Sequence, residues 1–196
     1  MQLLEHVWLD MNTRSRLNVS DDAHLGRVVA LLEGEVEVRQ AERSAVVCTV
    51  FAGGGSIKTF NGRTNIRYLD GKTQVTCLSG SAQVDFDGQG YRLGAGEQLV
   101  YGRHAISSVQ TVATDNFPSW RQGRLAFHEQ PLSQVLAELN RYWAGHLILK
   151  DASLGSILVN LSVDLDSLPE ALDVLQALYG LDVMRFPGGI ALLDRA

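Results

Sequence analysis

The second half of this chain contains one pattern twice. The stretch 119–151, SWRQGRLAFHEQPLSQVLAELNRYWAGHLILKD, reads as strand, helix, strand. In Arg124–His128, Leu125 and Phe127 alternate onto one face, the period of a half-buried strand. Pro131 falls where a first helical turn tolerates a residue without an N–H. Leu132, Val135, Leu136, Leu139, Tyr142 and Trp143 then recur at helical spacing and form one apolar stripe. Gly145 is expected to end that helix in left-handed backbone, and His146–Lys150 to run on as a strand.

Thirty-six positions later the unit returns. Asn160–Val163 stands where Arg124–Phe127 stood, and Leu168, Ala171, Leu172, Leu175, Leu178 and Tyr179 repeat the stripe. Ser167 and Glu170 have the spacing of a capping box, and Gly180 closes the helix. Leu181–Phe186 is the next strand, with Ile190–Leu193 after a Pro187-Gly188-Gly189 turn. A unit this short buries little alone, so two copies are expected to pack as one small domain.

Residues 1–110 have another rhythm. Short β-rich runs recur: Val7–Leu9, Arg16–Val19, Val28–Leu32, Glu35–Arg39, Val46–Phe51, Ser56–Phe60, Thr64–Leu69, Gln74–Leu78, Ala82–Phe86, Gly90–Leu93 and Gln98–Tyr101. Asn61-Gly62, Asp70-Gly71 and Asp87-Gly88 read as turns between them. Arg27–Val38 aligns without gaps on Thr73–Val84, matching Val29 to Val75, Gly34 to Gly80 and Val38 to Val84. Each half of that match is a strand, a glycine corner and a second strand. Thr111–Pro118 is polar and reads as a linker, with the boundary near residue 115. The expected fold class is therefore α+β. An all-β domain of many short strands, roll- or sandwich-like, covers 1–113, and a small duplicated βαβ domain covers 119–196.

The net charge of −5 argues against a nucleic-acid partner, which calls for a basic surface. Fourteen of the 17 basic residues are Arg, and they are scattered. No apolar run is long enough for a membrane span, and Met1–Asp10 lacks the basic front of a signal peptide. An export signal, if the protein works outside the cytoplasm, is expected upstream. Cys48 and Cys77 form no Cys-x-x-Cys pair. A cross-strand disulfide and two buried thiols both fit them.

The search for chemistry returns no converging site. None of His6, His24, His104, His128 and His146 has a second His four residues away on a helix. Asp21-Asp22-Ala23-His24 lacks a calcium-loop pattern and reads as a polar turn. Gly53-Gly54-Gly55-Ser56 lacks the Gly-Lys-Ser/Thr of a phosphate loop, and no Gly-x-Ser-x-Gly elbow is present. No catalytic residue, metal ligand or cofactor is expected, and the chain is read as a non-enzyme.

One block is more specific. Trp120, Gly123, Leu125 and Phe127, then Pro131-Leu132, Val135-Leu136 and Glu138-Leu139-Asn140-Arg141-Tyr142, resemble the periplasmic part of FecR-type transmembrane anti-sigma regulators. Gly55-Ser56-Ile57-Lys58-Thr59 through Val84, and Leu93-Gly94-Ala95-Gly96-Glu97-Gln98, look like that family's β-domain. Residues from about 152 resemble the short N-terminal domain of secretins and TonB-dependent receptors. Phe60-Asn61-Gly62-Arg63-Thr64 departs from the family's usual Leu-Gly-Thr. The resemblance implies a periplasmic signal-receiving module, anchored in the inner membrane by a segment upstream. Its implied partner is the periplasmic signalling domain of a TonB-dependent siderophore receptor. A sigma factor is engaged only through a cytoplasmic segment absent from this sequence. The implied output is control of an extracytoplasmic-function sigma factor for iron-uptake genes. The alternatives are a structural adaptor of an outer-membrane secretion assembly and a carbohydrate-binding β-domain.

Joining two small αβ modules by their strand edges places the candidate partner-binding residues on two stretches. In Ile157–Asp164 they are Leu158, Asn160, Ser162 and Asp164. In Leu181–Leu193 they are Met184, Phe186 and Ile190, which completion of the small domain's core explains equally well.

Overall fold

The computed structural model describes residues 1–41, 48–103, 105–115 and 117–196. His104 and the first two residues of the expected strand Val46–Phe51 lie outside the described residues. The chain divides into two compact units, Met1–Pro118 and Ser119–Ala196.

The first unit is all strand: β1 (Gln2–Leu4), β2 (Val7–Met11), β3 (Arg16–Asp22), β4 (Gly26–Gln40), β5 (Cys48–Ala52), β6 (Gly55–Leu69), β7 (Lys72–Phe86), β8 (Gln89–Gly94), β9 (Glu97–Gly102), β10 (Ala105–Ile106) and β11 (Gln110–Thr111). The pairs Val28–Leu32/Glu35–Arg39, Ser56–Phe60/Thr64–Leu69 and Gln74–Leu78/Ala82–Phe86, expected as separate strands, are each one strand of 15 residues. Each of these long strands changes neighbours near its middle. The first part of β4 pairs with β3 and β5, and the second with β2 and β6. The first part of β7 pairs with β9 and the second with β8, while β6 runs beside both. One 11-stranded sheet thereby turns back on itself around a core that includes Val29, Val36, Val38, Ile57, Ile66 and Leu99.

The changeover falls at glycine for a geometric reason. Gly34 and Gly80, the residues matched in the sequence repeat, sit at φ 103° and 73°, which side chains avoid. A Cβ on Gly80 would also stand 2.4 Å from the carbonyl oxygens of Phe60 and Asn61. Asn61-Gly62, expected as a turn between strands, is a bulge inside β6. The register shifts between Phe60 and Thr64, so the strand bends there without ending. Asp70-Gly71 and Asp87-Gly88 do turn, with both residues of each pair at positive φ as two-residue hairpins require.

Along β4, Val36 and Val38 enter the apolar core, so Glu35 and Glu37 point the other way. Both are buried all the same, at 3% and 0% exposure. Arg63 donates from Nε and Nη2 to Glu37 at 2.9 and 3.0 Å. Glu35 accepts from Asn12 Nδ2 at 2.9 Å, Asn65 Nδ2 at 2.9 Å and Arg67 Nη1 at 3.2 Å. Buried carboxylates persist only when paired in this way.

The second unit runs β12 (Arg124–Pro131), α1 (Leu132–Tyr142), β13 (His146–Leu149), β14 (Leu158–Asp164), α2 (Leu168–Tyr179), β15 (Leu181–Phe186) and β16 (Ile190–Arg195). Strands and helices follow in the expected order, but the strands pair across the halves. β12 is antiparallel to β14, and β13 is parallel to β16, which also pairs with β15. The helices bury Leu132, Val135, Leu136 and Leu139, and Leu168, Ala171, Leu172 and Leu175, in one core with residues of both sheets.

Several local expectations are corrected. Pro131 is the N-cap of α1 and still ends β12, because its ψ of 135° is extended. Gly145 is not left-handed. It is glycine because a Cβ there would stand 2.2 Å from the Gly189 carbonyl oxygen, and α1 stops earlier, at an extended Trp143. Ser167 caps α2 without a side-chain hydrogen bond, so no capping box forms. Leu178 is 69% exposed and lies off the buried stripe, since α2 ends one residue later. Gly180 does close α2 in left-handed backbone.

Candidate interaction surface

The second unit leaves one face of each sheet uncovered. On β14, burial alternates without a break. Val159, Leu161 and Val163 enter the core, while Leu158, Asn160, Ser162 and Asp164 are exposed. Met184, Phe186 and Ile190 are also exposed, at 36%, 46% and 40%. Completion of the core is therefore not their role; Leu181, Val183, Ala191 and Leu193 do that. The seven candidates fall on two different sheets, four on β14 and three on β15 and β16.

The patch on the three-stranded sheet is the more apolar. Met184 pairs with Leu192, which pairs with Ile148, and Phe186 pairs with Ile190. Ile148 is 43% exposed and is not among the sequence candidates, because Leu147-Ile148-Leu149 is apolar throughout and shows no alternation that marks the outward residue. At the end of this patch Asp182 faces Asp194, whose carboxylate is held by Lys150 Nζ at 2.6 Å. Ile190 differs from its neighbours in one respect. It belongs to β16, the central strand, so the expected edge Leu181–Leu193 is an edge only along β15.

The β14 patch is polar. At its centre Asn160 Oδ1 lies 2.9 Å from His128 Nδ1 and accepts the Glu129 N–H at 3.1 Å. This contact fills the bulge at His128–Glu129, where Glu129 has φ 46° and the register to β14 slips. The Asn160 N–H donates to the Tyr179 hydroxyl at 2.8 Å, and that hydroxyl donates to the Asn160 carbonyl at 3.2 Å. A parallel device serves β13. Asn140 Nδ2 donates to the Leu147 carbonyl at 2.9 Å, and Asn140 Oδ1 accepts the Leu147 N–H at 2.8 Å. Arg141 beside it pairs with Glu138 at 2.8 Å, with both side chains nearly buried. The Glu138–Tyr142 segment of the recognised pattern is thus structural, tying helix α1 to strand β13.

In the first unit, Cys48 and Cys77 are free and buried. Burial pushes both thiols up to about 11, with the Glu97 charge adding to the shift at Cys77. Asp22 Oδ1 accepts the N–H groups of His24 and Leu25, so Asp21–His24 forms a polar turn. Among the described residues no group of His, Cys, Asp or Glu is arranged to hold a metal ion. Among them, too, no helix is long and apolar enough to cross a membrane.

Residues 1–83 match the family model described as FecR protein. The N-terminal part of this chain is FecR-like. The matched residues build β1 to β6 and most of β7, which includes the strand with the two buried carboxylates and all three bends. Solved structures show where the fold recurs. One, from Parabacteroides distasonis ATCC 8503 and described as a "putative anti-sigma factor", superposes at a TM-score of 0.84 with 19% identity. It covers 100% of this chain and 93% of its own. A second structure with the same description and source reaches 0.73 at 18% identity, covering 97% and 99%. At such identity the likeness is one of fold. Among curated proteins none matches the chain.

Proposed function

We propose that this chain is the signal-receiving part of a FecR-type anti-sigma regulator. The FecR-like unit is read as the scaffold. Residues 119–196 are read as a duplicated βαβ module akin to the short N-terminal domain of secretins and TonB-dependent receptors. The module receives the periplasmic signalling domain of a TonB-dependent siderophore receptor. The regulator thereby controls an extracytoplasmic-function sigma factor for iron-uptake genes, from an anchor in the inner membrane. The observation that carries this reading is the pair of uncovered sheet faces on a small αβ unit that follows a FecR match. Contiguous exposed apolar residues of this kind mark interaction sites. The described solved structures support the same direction.

The test is titration of this protein with the signalling domains of the TonB-dependent receptors of its own organism. The expected result is saturable binding to one of them. Binding to none, with binding instead to components of an outer-membrane secretion assembly, replaces the receptor reading with that of an adaptor.

A further inference from the structure

The strand edges of the second unit are not equally available. Main-chain groups alternate in direction along a strand. The Leu165 N–H donates to the Gly123 carbonyl at 2.8 Å, extending the β12–β14 ladder. That phase turns Leu161 and Val163 toward β12, and Asn160 and Ser162 outward. Tyr179 already occupies both main-chain groups of Asn160, in the middle of that edge. β12 offers Arg124 and Ala126 outward before the bulge at His128–Glu129 ends its regular run. β13 is four residues long, and Asn140 occupies Leu147. Bulges and covered groups are how proteins blunt their edges.

β15 has no such device. The Ala196 N–H donates to the Gly180 carbonyl at 3.2 Å, which sets the phase of the β15–β16 ladder. Asp182, Met184 and Phe186 therefore turn their main chain to β16, and Leu181, Val183 and Arg185 turn theirs outward. These make the longest uninterrupted edge of the unit, and it borders the apolar patch.

We propose that β15 is the edge that accepts an extended strand of the signalling partner. Asn140 and Tyr179 deny the same pairing to β13 and β14. This rests on the receptor-binding reading above and names its contact. The neighbouring side chains state what the strand must be. Beside Met184 and Phe186 it carries apolar residues at alternate positions. Beside Asp182, where a second carboxylate, Asp194, shares a single lysine, it carries a basic residue. Main-chain pairing supplies affinity and the alternate side chains supply specificity.

The experiment follows backbone amides of the whole protein by NMR hydrogen exchange with two probes. One is the receptor signalling domain. The other is a blocked synthetic peptide of about ten residues, valine at alternate positions with a terminal lysine, long enough to span a strand. The expected result is that Val183 and Arg185 amides slow with both probes, while Leu147 and Asn160 do not change. Arg185→Pro, which removes an outward donor, lowers affinity by at least about tenfold, and Arg185→Ala by less than about threefold. Protection that appears at Ser162 but not at Val183 overturns the assignment. So does equal loss for the Pro and Ala variants. If the peptide protects β15 and no signalling domain binds, the edge stands and the receptor reading falls. If a signalling domain binds without protecting β15, the receptor reading stands and the edge falls.

Discussion

The two units differ in how completely they bury charge and in how their exposed apolar side chains are arranged on strands. In the FecR-like unit two carboxylates, Glu35 and Glu37, lie inside and are satisfied by Arg63, Arg67, Asn12 and Asn65. In the second unit four of the exposed large apolar side chains, Ile148, Met184, Phe186 and Ile190, lie on the three paired strands of one sheet. Covering that sheet face would gain part of the roughly 1.5–3 kcal/mol that full burial of each such side chain contributes. Both units expose single apolar side chains, such as Leu32 in the first and Leu178 in the second, and the second nearly buries the Glu138–Arg141 pair.

The largest effect that tests this contrast comes from cutting the second unit at Asp151. Each strand of its first half pairs only with a strand of its second half, β12 with β14 and β13 with β16. A fragment of residues 119–151 keeps no ladder and is expected to be unfolded by circular dichroism. Cooperative melting of that fragment would show that a single βαβ copy suffices.

Next in size are the matched core leucines. Leu136 and Leu172 are 4% and 0% exposed, so Leu→Ala at either is expected to cost about 2–5 kcal/mol. Leu178→Ala, at an exposed position of α2, the helix that carries Leu172, is expected to stay within about 0.5 kcal/mol. Denaturant titration separates the three, and a large loss at Leu178 would mean that something covers it.

Arg63→Met probes the opposite habit of the first unit. It removes two hydrogen bonds from a carboxylate with no exposure, while Arg39 remains 4.0 Å away. Because Arg63 is itself 45% exposed, the expected loss is moderate, about 2–3 kcal/mol. The double variant Arg63→Met with Glu37→Leu is expected to recover most of it. Failure to recover would show that Glu37 contributes more than a charge needing neutralisation.

The effect that vanishes at neutral pH, and is smallest there, is a pH dependence from two thiols of the first unit. The thiols of Cys48 and Cys77 have folded values of about 11 against an ordinary 9.0. A raised folded value means that the stability they lend is whole below about pH 9, and that it falls as pH rises to about 11, because unfolded thiols ionise first. Cys48→Ala with Cys77→Ala is expected to flatten the melting temperature across that window. An unchanged slope would assign it to other groups, among them Tyr101, whose hydroxyl burial pushes up to about 12.

Strand positions were legible because alternation and turn chemistry are local. Asp70-Gly71 and Asp87-Gly88 turn where their residue types require. The bends were not legible. Nothing in Asn61-Gly62 distinguishes a hairpin from a bulge until Ser79 and Gly80 are known to lie across from it. The same holds for Gly145, whose reason is the Gly189 carbonyl 44 residues away in sequence. In the second unit the buried stripes followed from helical period, and the exposed set on β14 from strand period. Which edge stays open did not follow, because it depends on two side chains, Asn140 and Tyr179, folding back onto strands that periodicity alone does not place beside them.

The pairing order of the second unit also fixes when it can exist. β16 is the middle strand of its sheet, yet it follows every other element of the unit in the chain and so emerges after them during synthesis. Until residues 190–195 are free, β13 and β15 have no ladder neighbour, and of the two sheets the helices can pack only against the one formed by β12 and β14. Assembly of the three-stranded sheet is therefore late and governed by distant contacts, which slow folding. Deleting residues 190–195 would remove the centre of that sheet and not its rim, so the sheet is expected to be lost in one step, without first fraying at the edge.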